Sequence, residues 1–263
     1  MKKYGNDLFK GAAQYYAKFR PMYPSSLIRY LVHKFSLNGE QYLLDLGCGT
    51  GRLTIRFSDW CNKIVGIDTE PEMIAEAERL HQETRLGDIH WFNGNLEQYR
   101  QEYNARFHLV TIAKAFHWMD RPRVLEEVYG IVNAGGGIAI IDDYEPNKIL
   151  TPWQKRLNDV IEQWYGKDRR AGNTTYKHPV TSHEQMIADS KFNVEIHQLP
   201  YEITWTIESI LGNLYSTSYG SKRFLKDKLD AFEKELKDAL LDINQSGIFK
   251  EKLNLSVKLG IKN

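Results

Sequence analysis

Apolar positions along the chain change their period several times, and each change predicts an element. Phe9, Ala13, Tyr16 and Ala17 fall at helical spacing and predict a helix over Asp7–Arg20, ended by Pro21 and Pro24. Leu27, Ile28, Leu31, Val32 and Phe35 share one face of a second helix over Ser25–Phe35, with serines placed to cap it. Short apolar runs then alternate with amphipathic ones. Strands are expected at 42–46, 63–68, 89–93, 107–112 and 136–142, and helices at 50–60, 71–83, 96–103 and 121–132. Five strand–helix units at this spacing predict a parallel sheet covered on both faces. Gly135-Gly136-Gly137 reads as a turn between the last helix and its strand.

After Asp143 the alternation breaks. Residues 144–190 hold Pro146, Pro152, a helical stretch with Trp153, Leu157, Val160, Ile161 and Trp164, and a polar run from Lys167 to Pro179. This reads as an insertion over the ligand crevice. Regularity returns with a strand at 192–199, a helix near 206–216 and a long helix over Lys222–Leu241. The alternating segment Leu253–Leu259 is expected to form an edge strand.

The densest chemistry lies at Leu43–Gly51, Leu-Leu-Asp-Leu-Gly-Cys-Gly-Thr-Gly. A strand runs into three glycines at alternate positions, and a helical pattern follows at once. In an open α/β sheet this is where a ligand touches bare backbone. A merely structural glycine turn is the alternative. The dinucleotide fingerprint G-x-G-x-x-G is one residue longer than Gly47-x-Gly49-x-Gly51. Asp45, just before the loop, would repel a pyrophosphate but suits a ligand carrying ammonium and sulfonium charges. The second strand ends in Asp68, as recognition of an adenosine ribose requires. These features favour S-adenosylmethionine over a nicotinamide cofactor.

Four segments in order resemble the class I S-adenosylmethionine-dependent methyltransferases, in particular the small-molecule group that includes ubiquinone-type and trans-aconitate-type enzymes. They are Tyr16-Ala-Lys-Phe-Arg20-Pro-Met-Tyr23-Pro24, Asp45–Gly51, Val65-Gly-Ile-Asp68 with Pro71-Glu-Met73, and Ala115-Phe-His-Trp-Met-Asp120. The resemblance covers Tyr15–Asp143 well and the remainder loosely. It implies a doubly wound, mostly parallel seven-stranded α/β sheet of Rossmann-like type, with a helical insertion over the crevice. The chain then divides into an N-terminal helical lid (1–40), a cofactor-binding core (41–143), a substrate cap (144–190) and the C-terminal part of the sheet with further helices (191–263). Asp45, Gly47, Gly49, Gly51 and Asp68 are the leading cofactor residues. Met73 is placed on the adenine face, with a core methionine as the alternative. Asn95 stands where the family often has an acid that accepts from the adenine amino group, and Leu96 offers a backbone N–H. Ala113 and Lys114 flank the methionine moiety. Tyr16, Arg20 and Tyr23 are lid candidates, a tyrosine face over the sulfonium and a guanidinium for the carboxylate.

Composition narrows the partners. Lys+Arg total 35 against 34 Asp+Glu, a net charge of +1, which argues against a large phosphate-binding surface and so against nucleic acid. Lys2 and Lys3 are not followed by an apolar run, and no stretch reaches the length of a membrane span. Cys48 and Cys61 lack zinc or disulfide-framework spacing, so a reducing, cytoplasmic setting is expected. His117 is the leading general-base candidate, His178 the second and His183 the third; loop-ordering is the competing role for His117. His81, His90 and His108 are expected at the surface. Trp118, Tyr144, Tyr176, Tyr201 and Tyr215, with Trp153, Trp164, Trp205 and Tyr219 as further candidates, suggest a planar or apolar small acceptor; amphipathic spacing accounts for Trp153 and Trp164 without a ligand. The expected function is methyl transfer to oxygen or nitrogen of a metabolite, with an RNA or protein methyltransferase and a non-catalytic cofactor-binding module as alternatives. The oligomeric state is left open.

Overall fold

The computed structural model describes residues 8–84, 87–172 and 174–263; Asp7, the expected start of the first helix, lies outside them. They form two compact units. One contains residues 22–144, 178–201 and 254–263, and the other the remaining segments up to Pro21, 145–177 and 202–253.

In the first unit the helix α2 (Ser25–Lys34) precedes β1 (Tyr42–Leu46), β2 (Lys63–Asp68), α3 (Pro71–Thr84), β3 (Ile89–Asn93), α4 (Leu96–Glu102), β4 (Phe107–Ala113), α5 (Arg121–Ile131) and β5 (Val132–Asp142). Then come α7 (His183–Ala188), most of β8 (Asn193–Thr206) and the last part of β9 (Ile248–Ile261). The sheet order is β3-β2-β1-β4-β5-β9-β8. The first five strands pair in parallel and β9 runs antiparallel to β5. The strand order reverses between β1 and β4, the switch point at which open α/β sheets leave a crevice. Strand alternation sends successive side chains to opposite faces. Leu43, Ile64, Leu109, Ala139 and Ile141 pack with Leu27 and Leu31 of α2, whereas Leu44, Val65, Val110, Ile138 and Ile140 pack with Leu125 and Val128 of α5 and Ile187 of α7.

The second unit is mainly helical, with α1 (Ala13–Phe19), α6 (Pro152–Tyr165), α8 (Ile207–Tyr215), α9 (Leu229–Leu241) and a short hairpin of β6 (Arg170–Ala171) and β7 (Thr174–Thr175). Trp153, Val160, Trp205, Ile210, Leu214, Tyr215, Phe232 and Leu236 form its core. Phe19 lies so close to α8 that a Cβ at Gly212 would sit 2.1 Å from its ring.

Several expectations change. The helix at 50–60 is only a 3-10 turn, Thr54–Phe57. Residues 222–228 form two 3-10 turns before α9 instead of the start of one long helix. Gly135–Gly137 lies within β5, where the register shifts between Phe107 and Leu109. A Cβ at Gly136 or Gly137 would meet the carbonyls of His108 or Gly260 at 2.2 and 2.4 Å, so backbone approach, not a turn, demands glycine there. The last strand is internal, between β5 and β8, and from Leu255 to Gly260 both its faces are covered. Its alternation misleads because Lys258, on the polar face, is buried against Asp142 at 2.9 Å. The compact units also cut across the expected division. α2 covers the sheet core and not a lid, and residues 178–190 return to the sheet unit because Ile187 is fully buried in its second core.

Candidate active site

β1 stops at Leu46 because Gly47, Gly49 and Gly51 take φ of 76°, 55° and 74°, conformations that side chains with a Cβ rarely adopt. The amides of Gly47 and Cys48 both reach the carbonyl of Ile67, at 2.8 and 3.0 Å, tying the loop to the end of β2. At Gly47 a Cβ would stand 2.5 Å from that of Ala115 and 3.2 Å from Met119 Cε. The loop after β4, Lys114–Met119, is therefore packed directly on the glycine loop, and both belong to the same unit. Gly51 is required for a different reason: its Cβ would meet the Trp91 ring at 2.5 Å.

Asp68 closes β2 and accepts from the amides of Gly49 and Glu70, each at 2.9 Å. A carboxylate offers about four lone-pair sites, so this geometry orients Asp68 and is compatible with an added pair of ribose hydroxyls. Asn95 is the N-cap of α4: its side chain accepts from Gln98 N at 2.9 Å, and Gln98 answers to Asn95 N at 3.0 Å. Its amide oxygen, expected to serve adenine, is thus already a capping group. The side chains of Leu96, Met73 and Ala113 are buried. Bare backbone at the switch point, positive-φ glycines and an acid at the next strand end form a donor set that fits the adenosine and methionine parts of S-adenosylmethionine.

Asp45 is placed differently from expectation. It is 1% exposed, beside Thr111 in the parallel register, and accepts from Thr54 Oγ1 at 2.5 Å and Thr111 Oγ1 at 2.7 Å. Burial raises its pKa from 3.8 to about 6 against the opposing pull of the two hydroxyls. So enclosed, the side chain braces the loop from beneath through its two threonines. Thr54 and Thr111 carried no signal in the sequence, because only strand register brings them to Asp45. Cys48 is likewise buried, its thiol pKa pushed up first by desolvation and then by Asp68 and Asp45, which makes it a filler and not a nucleophile.

Beyond β4, Lys114 has a left-handed backbone (φ 55°), a costly conformation for a side chain with a Cβ, and its Nζ meets Asp143 at 2.6 Å. Phe116–Trp118 form a 3-10 turn. His117 and Trp118 rings lie 4.6 Å apart, and burial, followed by the neighbouring His183 and His178, lowers the His117 pKa to about 4. His178 stacks on Tyr144 with centroids 3.5 Å apart. His183 is buried, and its pKa too is held to about 4, chiefly by desolvation. His117, Trp118, Tyr144, His178 and His183 thus belong with the glycine loop in one unit.

The other candidates do not gather there. Tyr16 and Arg20 belong to the helical unit, where the Arg20 guanidinium lies over the Tyr16 ring at 5.0 Å and reaches the Ser216 carbonyl at 3.4 Å. Tyr23 packs on the sheet core, its carbonyl held by Arg56 at 2.5 Å. Tyr201 packs on the same core. Tyr215 is interior to the helical unit, with its hydroxyl donating to Glu233 at 2.8 Å, and Trp153, Trp164, Trp205 and Tyr219 are also absorbed by that core. Tyr176 lies in the helical unit, its amide donating to the Arg169 carbonyl. Of the histidines expected at the surface, His108 is partly buried against the Phe35 carbonyl at 3.0 Å, and His81 accepts from Trp91 Nε1 at 3.3 Å.

Residues 43–136 match the family model described as a methyltransferase domain. The probable S-adenosylmethionine-dependent methyltransferase CRG1 of Saccharomyces cerevisiae is 30% identical over 63% of this chain and 55% of its own length. The uncharacterized methyltransferase Rv3342 of Mycobacterium tuberculosis is 25% identical over 80% of this chain and 76% of its own. The matches span 55% and 60% of the first two curated relatives, so the alignments leave much of those proteins uncovered. Among solved structures, Haemonchus contortus phosphoethanolamine N-methyltransferase 2, solved with phosphomonomethylethanolamine and S-adenosylhomocysteine, superposes with a TM-score of 0.54 at 15% identity, over 96% of this chain and 57% of that one. At that identity the likeness is one of fold. The family match covers β1, the glycine loop, the 114–119 loop and the strands between them, the parts that build the site described above. Residues 43–136 thus form a methyltransferase domain, and the chain is similar to S-adenosylmethionine-dependent methyltransferases.

Proposed function

We propose that this chain moves a methyl group from S-adenosylmethionine to an oxygen or nitrogen of a small, planar or apolar acceptor. The observation that carries this is the packing of the glycine loop on the His117–Trp118 loop at the sheet's switch point. Cofactor loop and acceptor wall are then neighbours. Bound there, S-adenosylmethionine supplies a methyl group on a sulfonium, a good leaving group that departs as a neutral thioether.

The residues contribute position and charge. Asp68 takes the ribose hydroxyls. The Gly47–Gly51 backbone carries the methionine side, with Ala113 at its flank, and Met73, Asn95 and Leu96 border the adenine. Trp118, Tyr144 and His178 form the acceptor wall, and His117 orders or deprotonates the acceptor. A small acceptor accords with the balanced charge, and a relative of this chain, from Oceanobacillus iheyensis, is named demethylmenaquinone methyltransferase. Free, buried Cys48 and Cys61 suit a reducing, cytoplasmic setting, and among the described residues no helix is long and apolar enough to cross a membrane.

The test is calorimetric titration with S-adenosylhomocysteine, followed by transfer from labelled S-adenosylmethionine to metabolites, RNA and protein in parallel. Binding with transfer to small acceptors supports the proposal. Transfer confined to RNA or protein overturns the choice of acceptor, and absence of binding overturns the site.

A further inference from the structure

One aromatic ring occupies the space of two missing side chains beside the glycine loop. Trp91 of β3 pairs with Gly66 of β2, which in turn pairs with Asp45 of β1, so the three positions share one face of the parallel sheet. A Cβ on Gly66 would meet Trp91 Cε3 and Cζ3 at 2.5 Å each, ahead of Cys48 Sγ at 3.2 Å. Gly66 has no left-handed backbone, so the ring and not the conformation excludes a side chain there. The same ring reaches the loop at Gly51, where a Cβ would stand 2.5 Å from Trp91 Cη2 and 3.2 Å from Cζ3, with Ala77 Cβ of α3 next at 3.3 Å.

The indole is pinned as well as packed. Trp91 Nε1 donates to His81 Nδ1 at 3.3 Å. An indole N–H only donates, so the His81 proton sits on Nε2, from which it is given to the Gly87 carbonyl at 3.3 Å. The two rings meet edge to face with centroids 6.0 Å apart. The last turn of α3 and the segment before β3 thereby fix how the indole lies. Gly51, on which the ring presses, closes the loop: its amide donates to the Cys48 carbonyl and its carbonyl accepts from the Ile55 amide, both at 3.0 Å. Gly66 stands two residues before Asp68, whose carboxylate holds the Gly49 amide at 2.9 Å. The ring therefore bears on both parts of the cofactor site, the end of the glycine loop and the strand that delivers Asp68.

We propose that Trp91 is a positioning residue for S-adenosylmethionine, acting through Gly51 and Gly66 to hold the glycine loop and Asp68 in their binding geometry, with His81 locking its ring. This rests on the reading of that loop as the cofactor site. Glycine has more backbone freedom than any other residue, so a loop with three of them needs outside support to keep one conformation. A smaller side chain at position 91 withdraws that support. The loop then populates other conformations, and affinity falls by the fraction that remains competent to bind. A residue that merely filled the core would behave differently: its loss would lower stability, while the chains that stay folded would bind the cofactor as before.

The test titrates the full chain with S-adenosylhomocysteine by calorimetry, with urea unfolding to establish that each variant is folded in the titration buffer. Trp91→Leu should weaken binding about tenfold or more, as expected when a binding loop loses its placement. Gly66→Ala should weaken it by a similar factor, because the added methyl displaces the ring. The two changes together should bind within about threefold of Trp91→Leu alone, since the methyl enters space that the ring has left. Trp91→Phe and His81→Phe remove the indole N–H or its acceptor; each should weaken binding about threefold, and they carry the test if Trp91→Leu does not fold. Parent affinity in the folded Trp91 variants overturns the inference. So does a double variant whose loss is the product of the two single losses. Absence of binding by the unaltered chain overturns instead the cofactor site on which the inference rests.

Discussion

Replacing Asp45 with asparagine should stabilise the protein at neutral pH. The carboxylate is 1% exposed, and although Thr54 and Thr111 donate to it, desolvation outweighs them and raises its pKa from 3.8 to about 6. A native pKa above the unfolded one means that the folded state binds more protons between those values, so stability falls as pH rises through the window. The ionised side chain then costs about 3 kcal/mol at pH 7.5. Asparagine keeps one carbonyl for one threonine, and the other hydroxyl can turn to accept from the amide. Allowing for imperfect rearrangement, Asp45→Asn should add about 1–3 kcal/mol at pH 7.5 and raise the melting temperature by roughly 4–8 °C. The advantage should shrink below pH 6 and vanish near pH 4. Urea unfolding followed by circular dichroism, across pH 4–8, measures this directly. A variant less stable than the parent at pH 7.5, or a difference that does not change with pH, would refute the reasoning and make Asp45 a net stabiliser of the loop.

Asp68→Ala removes the acceptor of the Gly49 and Glu70 amides and the proposed ribose contact; S-adenosylhomocysteine affinity should fall about 10- to 100-fold by calorimetry, and unchanged affinity would contradict the assignment. Gly51→Ala puts a Cβ 2.5 Å from the Trp91 ring at a φ of 74°, so it should destabilise by about 2 kcal/mol or more in urea titration. His117 and His183 have native pKa values near 4, below the ordinary 6.5, so the stability of their neutral forms is complete above pH 6.5 and is lost as pH falls to 4. Each is worth at most about 3 kcal/mol, less when the two are coupled. His117→Gln should flatten the acid limb of the unfolding curve, and an unchanged limb would count against a neutral, buried imidazole.

Local chemistry carried much of this molecule into view. Period-two and period-3.6 patterns located the five parallel strands and most helices, since burial on a strand or helix face is a one-dimensional property. The glycine loop, Asp68 and His117–Trp118 were legible because turn conformation and strand-end position are set by neighbours in the chain. Asp45, Lys258 and Tyr215 were not. Whether Asp45 faces a ligand or two threonines depends on the register of β1 against β4, 66 residues away at Thr111. The alternation around Lys258 looked like an edge strand, because nothing nearby in sequence announces that Asp142, 116 residues distant, will neutralise it. Tyr215 looked like a pocket aromatic, yet Glu233 and the helical core claim it.

Sequence by itself determined most of the elements, the likeness to methyltransferases and the glycine loop at the end of the first strand. The tertiary structure decided which polar groups are committed to one another, as Asp142 is to Lys258 and Asp45 to Thr54 and Thr111. Hydrogen bonds and ion pairs between distant segments are formed by packing, and packing alone brings their partners within reach.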